Sequence, residues 1–325
     1  MVAALKSLVA GAGGFIGGHL VAELLQRGDS VVAIDCKPES DWYQSHQAAE
    51  SRSADLSLKD EAIAATRGVD RVFNLAADMG GIGFIEGNKA ECMLSVLINT
   101  HLLIGCRENG VPRFFFSSSA CAYPVGSQDT PEAAALKESD AYPAMPEDGY
   151  GWEKLFSERM CRHFMEDFGI QTRVARYHNV YGPHGAFEGG REKAPAAICR
   201  KVAEAALSGV DEIEIWGDGE QTRSFMYIDD CVEGTLKLMD SNFDQPVNLG
   251  SDQSVTINQL VDLAEGFAGT RLRRNYDLSA PQGVRGRNSD NTLISEVLGW
   301  APSVSLESGL SKTYEWIASE LGARR

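Results

Sequence analysis

Leu5-Lys6-Ser7-Leu8-Val9-Ala10-Gly11-Ala12-Gly13-Gly14-Phe15-Ile16-Gly17 is the stretch that decides how this chain folds. Leu5–Ala10 is a short apolar run and reads as a first strand, while Gly17–Gln26 has helical periodicity. Between them Gly11, Gly14 and Gly17 fall in a G-x-x-G-x-x-G spacing. Glycines permit the tight turn and let the main chain approach a pyrophosphate seated on the helix N-terminus. The spacing is weak evidence alone; a strand before it and a helix after it supply the confirming context. Gly11, Gly14, Phe15, Ile16 and Gly17 are therefore candidate dinucleotide contacts. Val31–Ile34 reads as a second strand ending at Asp35, roughly twenty residues beyond the turn. An acid there accepts hydrogen bonds from a ribose 2′-hydroxyl and repels a 2′-phosphate, which favours NAD over NADP.

Further along, Ala54-Asp55-Leu56 closes the next short segment and offers Asp55 and Leu56 to an adenine amino group. Arg71–Leu75 is another strand, and the small residues after it, Ala76 among them, leave room for a dinucleotide. In the flexible Asp78–Gly83 loop, Met79 and Gly80 either touch a substrate or belong to an ordinary loop. One long helix is predicted over Asn88–Asn109. Arg113–Phe116 is a strand whose carboxyl end is Ser117–Tyr123, the place where open parallel sheets bind ligands. Val125–Asp148 is rich in Pro, Ser, Glu and Ala and reads as a loop over the site, with a helical turn. A helix carries Tyr150 and runs to about Asp167, and Gln171–Arg176 is a strand. This alternation implies an α/β fold, a Rossmann-type doubly wound parallel sheet. Past it the regularity ends. Lys193–Leu207 is a helix, Glu212–Trp216 a strand and Arg223–Tyr227 an extended piece. Asp229–Met239 reads as a helix returning to the first domain, with further helices at Thr256–Phe267 and Leu306–Leu321. The expected division is a dinucleotide domain of residues 1–176, with 221–246 returning to it, and a smaller mixed substrate domain of 177–220 and 247–325.

The composition, 43% hydrophobic and 23% charged over 325 residues, is that of a soluble globular protein. A formal net charge of −16 argues against a general nucleic-acid binder. Seven cysteines show no CxxC pair and no metal-ligand spacing, so free thiols in a reducing, cytoplasmic compartment are expected, with no metal. No apolar run reaches the ~18 residues of a membrane span, and Met1–Ala10 is too short for a signal peptide.

Tyr150 and Lys154 lie four apart, so on a helix they share a face. A free phenol has a pKa near ~10, and a neighbouring ammonium, with a bound cationic nicotinamide, favours the phenolate. Such a pair can take a proton from a sugar hydroxyl while hydride leaves the same carbon. Alone, the pair is better explained by a surface aromatic and a solvated lysine.

Together the glycine turn, Ser119, Tyr150-x-x-x-Lys154, Tyr181-Gly182-Pro183 and Arg223–Asp230 resemble the extended short-chain dehydrogenase/reductase family. The resemblance covers almost the whole chain. It implies NAD in a Rossmann domain and a nucleotide sugar in the C-terminal domain. Longer strings, Asn74–Ile85, Ser118–Pro124, Gly189–Ala197, Trp216–Phe225 and Val284–Asn291, look like the GDP-mannose 3,5-epimerase branch. On that resemblance Ser119 hydrogen-bonds the sugar 4-hydroxyl beside Tyr150, and Lys154 holds the nicotinamide ribose. Cys121 and Lys193 stand where the branch has its catalytic cysteine and lysine. Glu192, beside Lys193, is a substrate contact, and Asn179, Arg223, Arg285 and Arg287 match positions at the nucleotide pyrophosphate or its ribose. The implied reaction oxidises C4 of GDP-mannose so that C3 and C5 become acidic. Cys121 is then expected as base and Lys193 as acid, both tuned toward neutrality by a partly desolvated pocket. The products would be GDP-L-galactose and GDP-L-gulose. A homodimer through a helix pair that includes the Tyr150 helix is implied as well. A nucleotide-sugar 4-epimerase, a dehydratase and a non-catalytic NAD-binding module are the alternatives. A dehydratase is expected to carry Asp-Glu in place of Ala120-Cys121, and a binding module would be free to lose Tyr150, Lys154 or Ser119.

Overall fold

The computed structural model describes residues 4–324, so Met1–Ala3 of the Met1–Ala10 stretch lie outside the described residues. The chain runs β1 (Lys6–Ala10), α1 (Phe15–Gln26), β2 (Ser30–Asp35), β3 (Glu50–Ser53), α2 (Lys59–Ala65), β4 (Arg71–Asn74), α3 (Ile82–Gly87), α4 (Lys89–Leu94), α5 (Val96–Asn109) and β5 (Arg113–Ser119). It continues with α6 (Asp148–Phe168), β6 (Gln171–Tyr177), β7 (Val180–Tyr181), α7 (Ala194–Ser208), β8 (Glu212–Trp216), β9 (Thr222–Ser224), β10 (Met226–Tyr227) and α8 (Ile228–Asp240). The remainder is β11 (Val247–Leu249), β12 (Ser254–Thr256), α9 (Ile257–Ala268), β13 (Arg273–Asp277), β14 (Gly286–Arg287), α10 (Thr292–Leu298) and α11 (Leu306–Ala323).

Seven strands form one parallel sheet in the order β11-β6-β5-β4-β1-β2-β3. The order reverses between β1 and β4, where Ala10 is in register with Asn74 on one side and Ile34 on the other. Ligands bind outside the carboxyl ends of the strands at such a switch point. Both faces of the sheet are covered, which is why Phe114-Phe115-Phe116 is an uninterrupted aromatic run. Phe115 joins Phe73 and Tyr177 in the core on one face, while Phe114 and Phe116 join Leu8, Ile34 and Leu103 on the other. Each such burial stabilises the fold by roughly 1.5–3 kcal/mol.

Three expectations need correction. The helix expected over Asn88–Asn109 is broken, because Asn88 leaves helical geometry (φ −131°) and Ser95 closes a tighter turn, donating its N–H to Cys92 at 3.3 Å. Helical structure begins earlier instead, with α3 inside what reads as the Asp78–Gly83 loop. The second-region boundary at residue 247 falls inside the large sheet. Val247, Asn248 and Leu249 pair with Ala175, Arg176 and Tyr177, and all three are buried. Smaller sheets, β12-β9-β14, β13-β8 and β10-β7, are separate from the large sheet. The Val125–Asp148 segment is irregular as expected. It is anchored at Leu136, which exchanges backbone hydrogen bonds with Asn288 and Asp290.

Candidate active site

The turn after β1 is shaped by what a side chain would strike. Gly11 has φ +84°, and a Cβ there would lie 2.9 Å from the Ala76 nitrogen. At Gly17 a Cβ would sit 2.0 Å from the Gly11 carbonyl oxygen. Gly14 is the N-cap of α1 and supplies no side-chain cap, so the first N–H groups of that helix stay available. Asp35 ends β2 nearly buried, its Oδ1 accepting the Lys37 N–H at 3.1 Å. These features fit a dinucleotide: a main-chain cradle with open donors, and an acid at the adjoining strand end. Phe15 packs under Gly182 and Gly185, and Ile16 joins the core. Ala76 borders the turn, as expected of a small residue there. Asp55 is exposed and its Oδ1 caps the Ser57 N–H at 2.9 Å, while the Leu56 side chain belongs to the core. Trp42 was not singled out in the sequence; its indole covers Gly13, with its N–H donated to the Lys37 carbonyl at 3.0 Å. No local pattern marks it.

Tyr150 and Lys154 share the buried face of α6. Gly151 between them lets that helix press on the end of β5, since a Cβ there would lie 2.3 Å from the Cys121 carbonyl oxygen. Lys154 is wholly buried, with Nζ 5.3 Å from the Tyr150 ring centre, 4.8 Å from that of Phe116 and 3.3 Å from Glu153 Oε2. The expectation of a lowered phenol pKa does not hold for the protein alone. Burial pushes the Tyr150 phenol well above its usual range, and the nearby Cys121 and Glu153 add to this, while a hydrogen bond with Ser119 opposes it. The ammonium lies against the ring and is shared with a buried carboxylate, so it does little for the phenolate oxygen. Glu153 hides in the sequence as the unremarkable middle of Tyr-x-x-x-Lys.

Ser119 ends β5, and its Oγ accepts the Cys121 N–H at 3.2 Å, turning the chain so that Cys121 packs with Tyr150, Cys92 and Ile85. Arg287 donates from Nη1 to the Cys121 sulfur at 3.5 Å, from Nε to Gln128 Oε1 at 2.6 Å, and from Nη2 to Glu147 Oε2 at 2.7 Å. Glu147 also donates its backbone N–H to the Cys121 carbonyl at 3.0 Å. Burial, then the Glu147 carboxylate, push the Cys121 thiol up to about 11. Burial would raise the Glu147 carboxyl, but Arg287 holds it below its usual value. Gln128 and Glu147 were missed because both lie in a segment that reads as plain loop.

Lys193 is the N-cap residue of α7. Burial lowers its ammonium, and Cys121 opposes this. Glu192 accepts the Gly190 N–H at 2.7 Å and lies 3.7 Å from Arg200. The Lys193 loop is tied to the Met79–Gly80 loop: Arg191 donates to Asp78 Oδ1 at 2.8 Å and to the Met79 carbonyl at 3.1 Å. Gly81 permits this approach, since a Cβ there would fall 2.5 Å from the Glu192 carbonyl oxygen, while Gly80 lies against Phe84. Asn179, at φ 44°, donates to the Ser224 carbonyl at 2.9 Å beside Arg223. Burial lowers the Arg223 guanidinium to about 10, with Arg287 contributing. The structure separates the two arginines of β14 and its approach. Arg287 is buried at the sulfur, whereas Arg285 is held at the rim by Asp218, at 3.0 Å to each carboxylate oxygen.

The cleft thus joins a dinucleotide turn, a buried Tyr–Lys pair and a thiol–amine pair, which suits redox chemistry coupled to proton transfer. Comparison with known proteins agrees with this chemistry. Residues 7–250 match the NAD dependent epimerase/dehydratase family. The chain is similar to GDP-mannose 3,5-epimerase 1 of Oryza sativa subsp. japonica, 48% identical over 98% of this chain and 82% of that protein. It is also similar to GDP-mannose 3,5-epimerase of Arabidopsis thaliana, 47% identical over 98% and 83%. Among solved structures, UDP-glucuronic acid 4-epimerase from Bacillus cereus in complex with UDP-glucuronic acid and NAD superimposes with a TM-score of 0.82, at 26% identity, over 97% of this chain and all of that one.

Proposed function

The chain belongs to the NAD-dependent epimerase/dehydratase family, and from that premise we propose that it epimerises GDP-mannose at C3 and C5, giving GDP-L-galactose and GDP-L-gulose. One observation carries the reading: beside the Tyr150–Lys154 pair the cleft holds a second acid–base pair, Cys121 and Lys193, for which a 4-epimerase has no use. When bound, NAD supplies the hydride acceptor and donor for C4 of the sugar. Gly11, Gly14 and Gly17 would hold its pyrophosphate and Asp35 its adenosine ribose. Tyr150 takes the proton of the 4-hydroxyl, with Ser119 orienting that oxygen. Positive charge supplied with the substrate complex must offset the burial that keeps the phenol protonated. A ketone at C4 renders the C3 and C5 protons removable as an enolate. Burial raises the thiol and lowers the ammonium, so it favours the uncharged form of each. Cys121 as base and Lys193 as acid are the proposed roles at each centre.

Met79, Gly80, Asn179, Glu192, Arg223 and Arg285 are the proposed contacts for the nucleotide sugar, with Arg223 and Arg285 the candidate cations for its diphosphate. Exposed Met93, Leu94 and Leu97 on α4 and α5 adjoin exposed Trp152 and Phe156 on α6, an apolar face that supports a homodimer. Among the described residues no helix is long and apolar enough to cross a membrane. All seven cysteines are free, which supports a cytoplasmic location.

The test is incubation with GDP-mannose in heavy water. Deuterium at C3 and C5, with no loss of water and no net NADH, is expected. Exchange at C5 alone would reduce the activity to a 5-epimerase, and no exchange would favour a binding module.

A further inference from the structure

We propose that Glu147 and Arg287 are positioning residues that set how readily Cys121 gives up its proton. The proposal rests on the acid–base reading above and deepens it. Six charged or titratable groups face the sulfur, each from a different place in the fold. Glu147 comes from the segment before α6, Tyr150 from α6, Cys92 from α4, Arg287 from β14, Arg223 from β9 and Lys193 from the start of α7. Only Glu147 is an anion. Arg287 touches the sulfur at 3.5 Å and Glu147 at 2.7 Å, so the guanidinium that would stabilise a thiolate is already engaged by a carboxylate. Gln128 fixes the third edge of the fork at 2.6 Å, and the Glu147 backbone is bonded to the Cys121 carbonyl. The carboxylate, the guanidinium and the thiol are therefore locked in one geometry.

Cys121 can stand as a thiol or as a thiolate. Passing from the first to the second breaks S–H and hands the proton to water or to a free amine, with no change of oxidation state. With the thiol protonated, Glu147 and Arg287 cancel. With a thiolate, two anions share one guanidinium. Glu147 thus holds the proton on sulfur, while the direct Arg287 contact keeps the thiolate within reach during turnover.

The experiment needs no turnover, so it can fail while the proposed epimerisation stands, and the reverse also holds. For the substrate-free holoenzyme and each variant, the ultraviolet thiolate absorbance is titrated against pH and the curve of the matching Cys121→Ala protein is subtracted. That subtraction also removes the cofactor's absorbance. Glu147→Gln is expected to lower the thiol midpoint by about one pH unit or more, a tenfold rise in thiolate fraction. Arg287→Lys, which loses the fork that reaches sulfur, is expected to raise it. Glu147→Asp is expected to restore most of the original midpoint. Shifts of opposite sign support the assignment, because loss of packing alone has no reason to order them so. An unmoved midpoint in Glu147→Gln, or a shift of the same sign in both variants, overturns it. Should Glu147→Gln not fold, an unmoved midpoint in Arg287→Lys overturns it by itself.

Discussion

The glycine turn at Gly11–Gly17 and the sulfur centre at Cys121 both follow the carboxyl ends of strands of the large sheet and are built from opposite materials. The turn is main chain. Its shape follows from the missing side chains of neighbouring residues, and its donors are helix N–H groups that carry no titratable proton. The sulfur centre is side chain. Its polar partners Gln128, Glu147 and Arg287 come from segments up to 166 residues from Cys121 in sequence, and its state depends on which group carries a proton. A fixed anion such as a pyrophosphate suits the first. A site that must give a proton and take it back requires the second.

The comparison can be broken most directly at the sulfur. Cys121→Ala should cut deuterium incorporation at C3 and C5 by 10²–10⁴-fold, roughly the worth of one positioned acid or base. Transient oxidation at C4 should persist, since Tyr150, Lys154 and the glycine turn are untouched. Mass-spectrometric exchange beside a single-turnover NADH signal separates the two. Undiminished exchange would remove the thiol from the chemistry.

The turn should fail differently. At Gly17 an added methyl group meets the Gly11 carbonyl at 2.0 Å, a main-chain atom that cannot swing aside. Gly17→Ala should therefore lose on the order of 3 kcal/mol of stability by overpacking, together with cofactor retention. Denaturant unfolding and NAD occupancy should fall together. Retained NAD with an intact midpoint would mean that the turn is looser than its geometry.

The same contrast explains what could be read from the sequence. The turn was legible because its determinants are adjacent and obey a spacing, as was Asp35 at the end of the next strand. Tyr150 and Lys154 were legible as a pair, but the raised phenol was not, because Glu153 and the position of the ammonium against the ring appear only on folding. Cys121 and Lys193 came from resemblance, not from spacing. Arg287 carried a substrate role in the sequence reading, and folding puts it at the sulfur. Glu147 and Gln128 had no local signature at all. The break at Ser95 was hidden because a serine inside an apolar helix pattern does not by itself stop a helix.

A third region holds a titratable group with no part in the proposed chemistry. His178 is fully buried and its Nε2 bonds Asn248 Oδ1 at 3.0 Å, an oxygen that also accepts from Tyr123 at 2.5 Å. Burial lowers its pKa to about 3. The unfolded imidazole binds a proton below about pH 6.5 and the folded one does not, so stability is flat above that value and falls by about 1.4 kcal/mol per pH unit below it. The loss runs down to about pH 3. His178→Gln should remove that share of the acid slope in denaturant unfolding. An unchanged slope would assign it to other groups.

The smallest effect is expected at the rim, where Arg285 provides the counterpart to Arg287. Its pair with Asp218 is between side chains 30% and 45% exposed, and such pairs are worth about 0–1 kcal/mol. Arg285→Ala should leave the unfolding midpoint within about 0.5 kcal/mol of the parent. A charged hydrogen bond to a substrate diphosphate is worth about 1.5–3 kcal/mol, part of which is lost in breaking the Asp218 pair. KM for GDP-mannose should therefore rise about tenfold or somewhat less, with kcat unchanged, as for uniform binding. Were kcat to fall instead, Arg285 would reach the reacting carbons, and the division between a guanidinium that binds at the rim and one that governs protons at the sulfur would be lost.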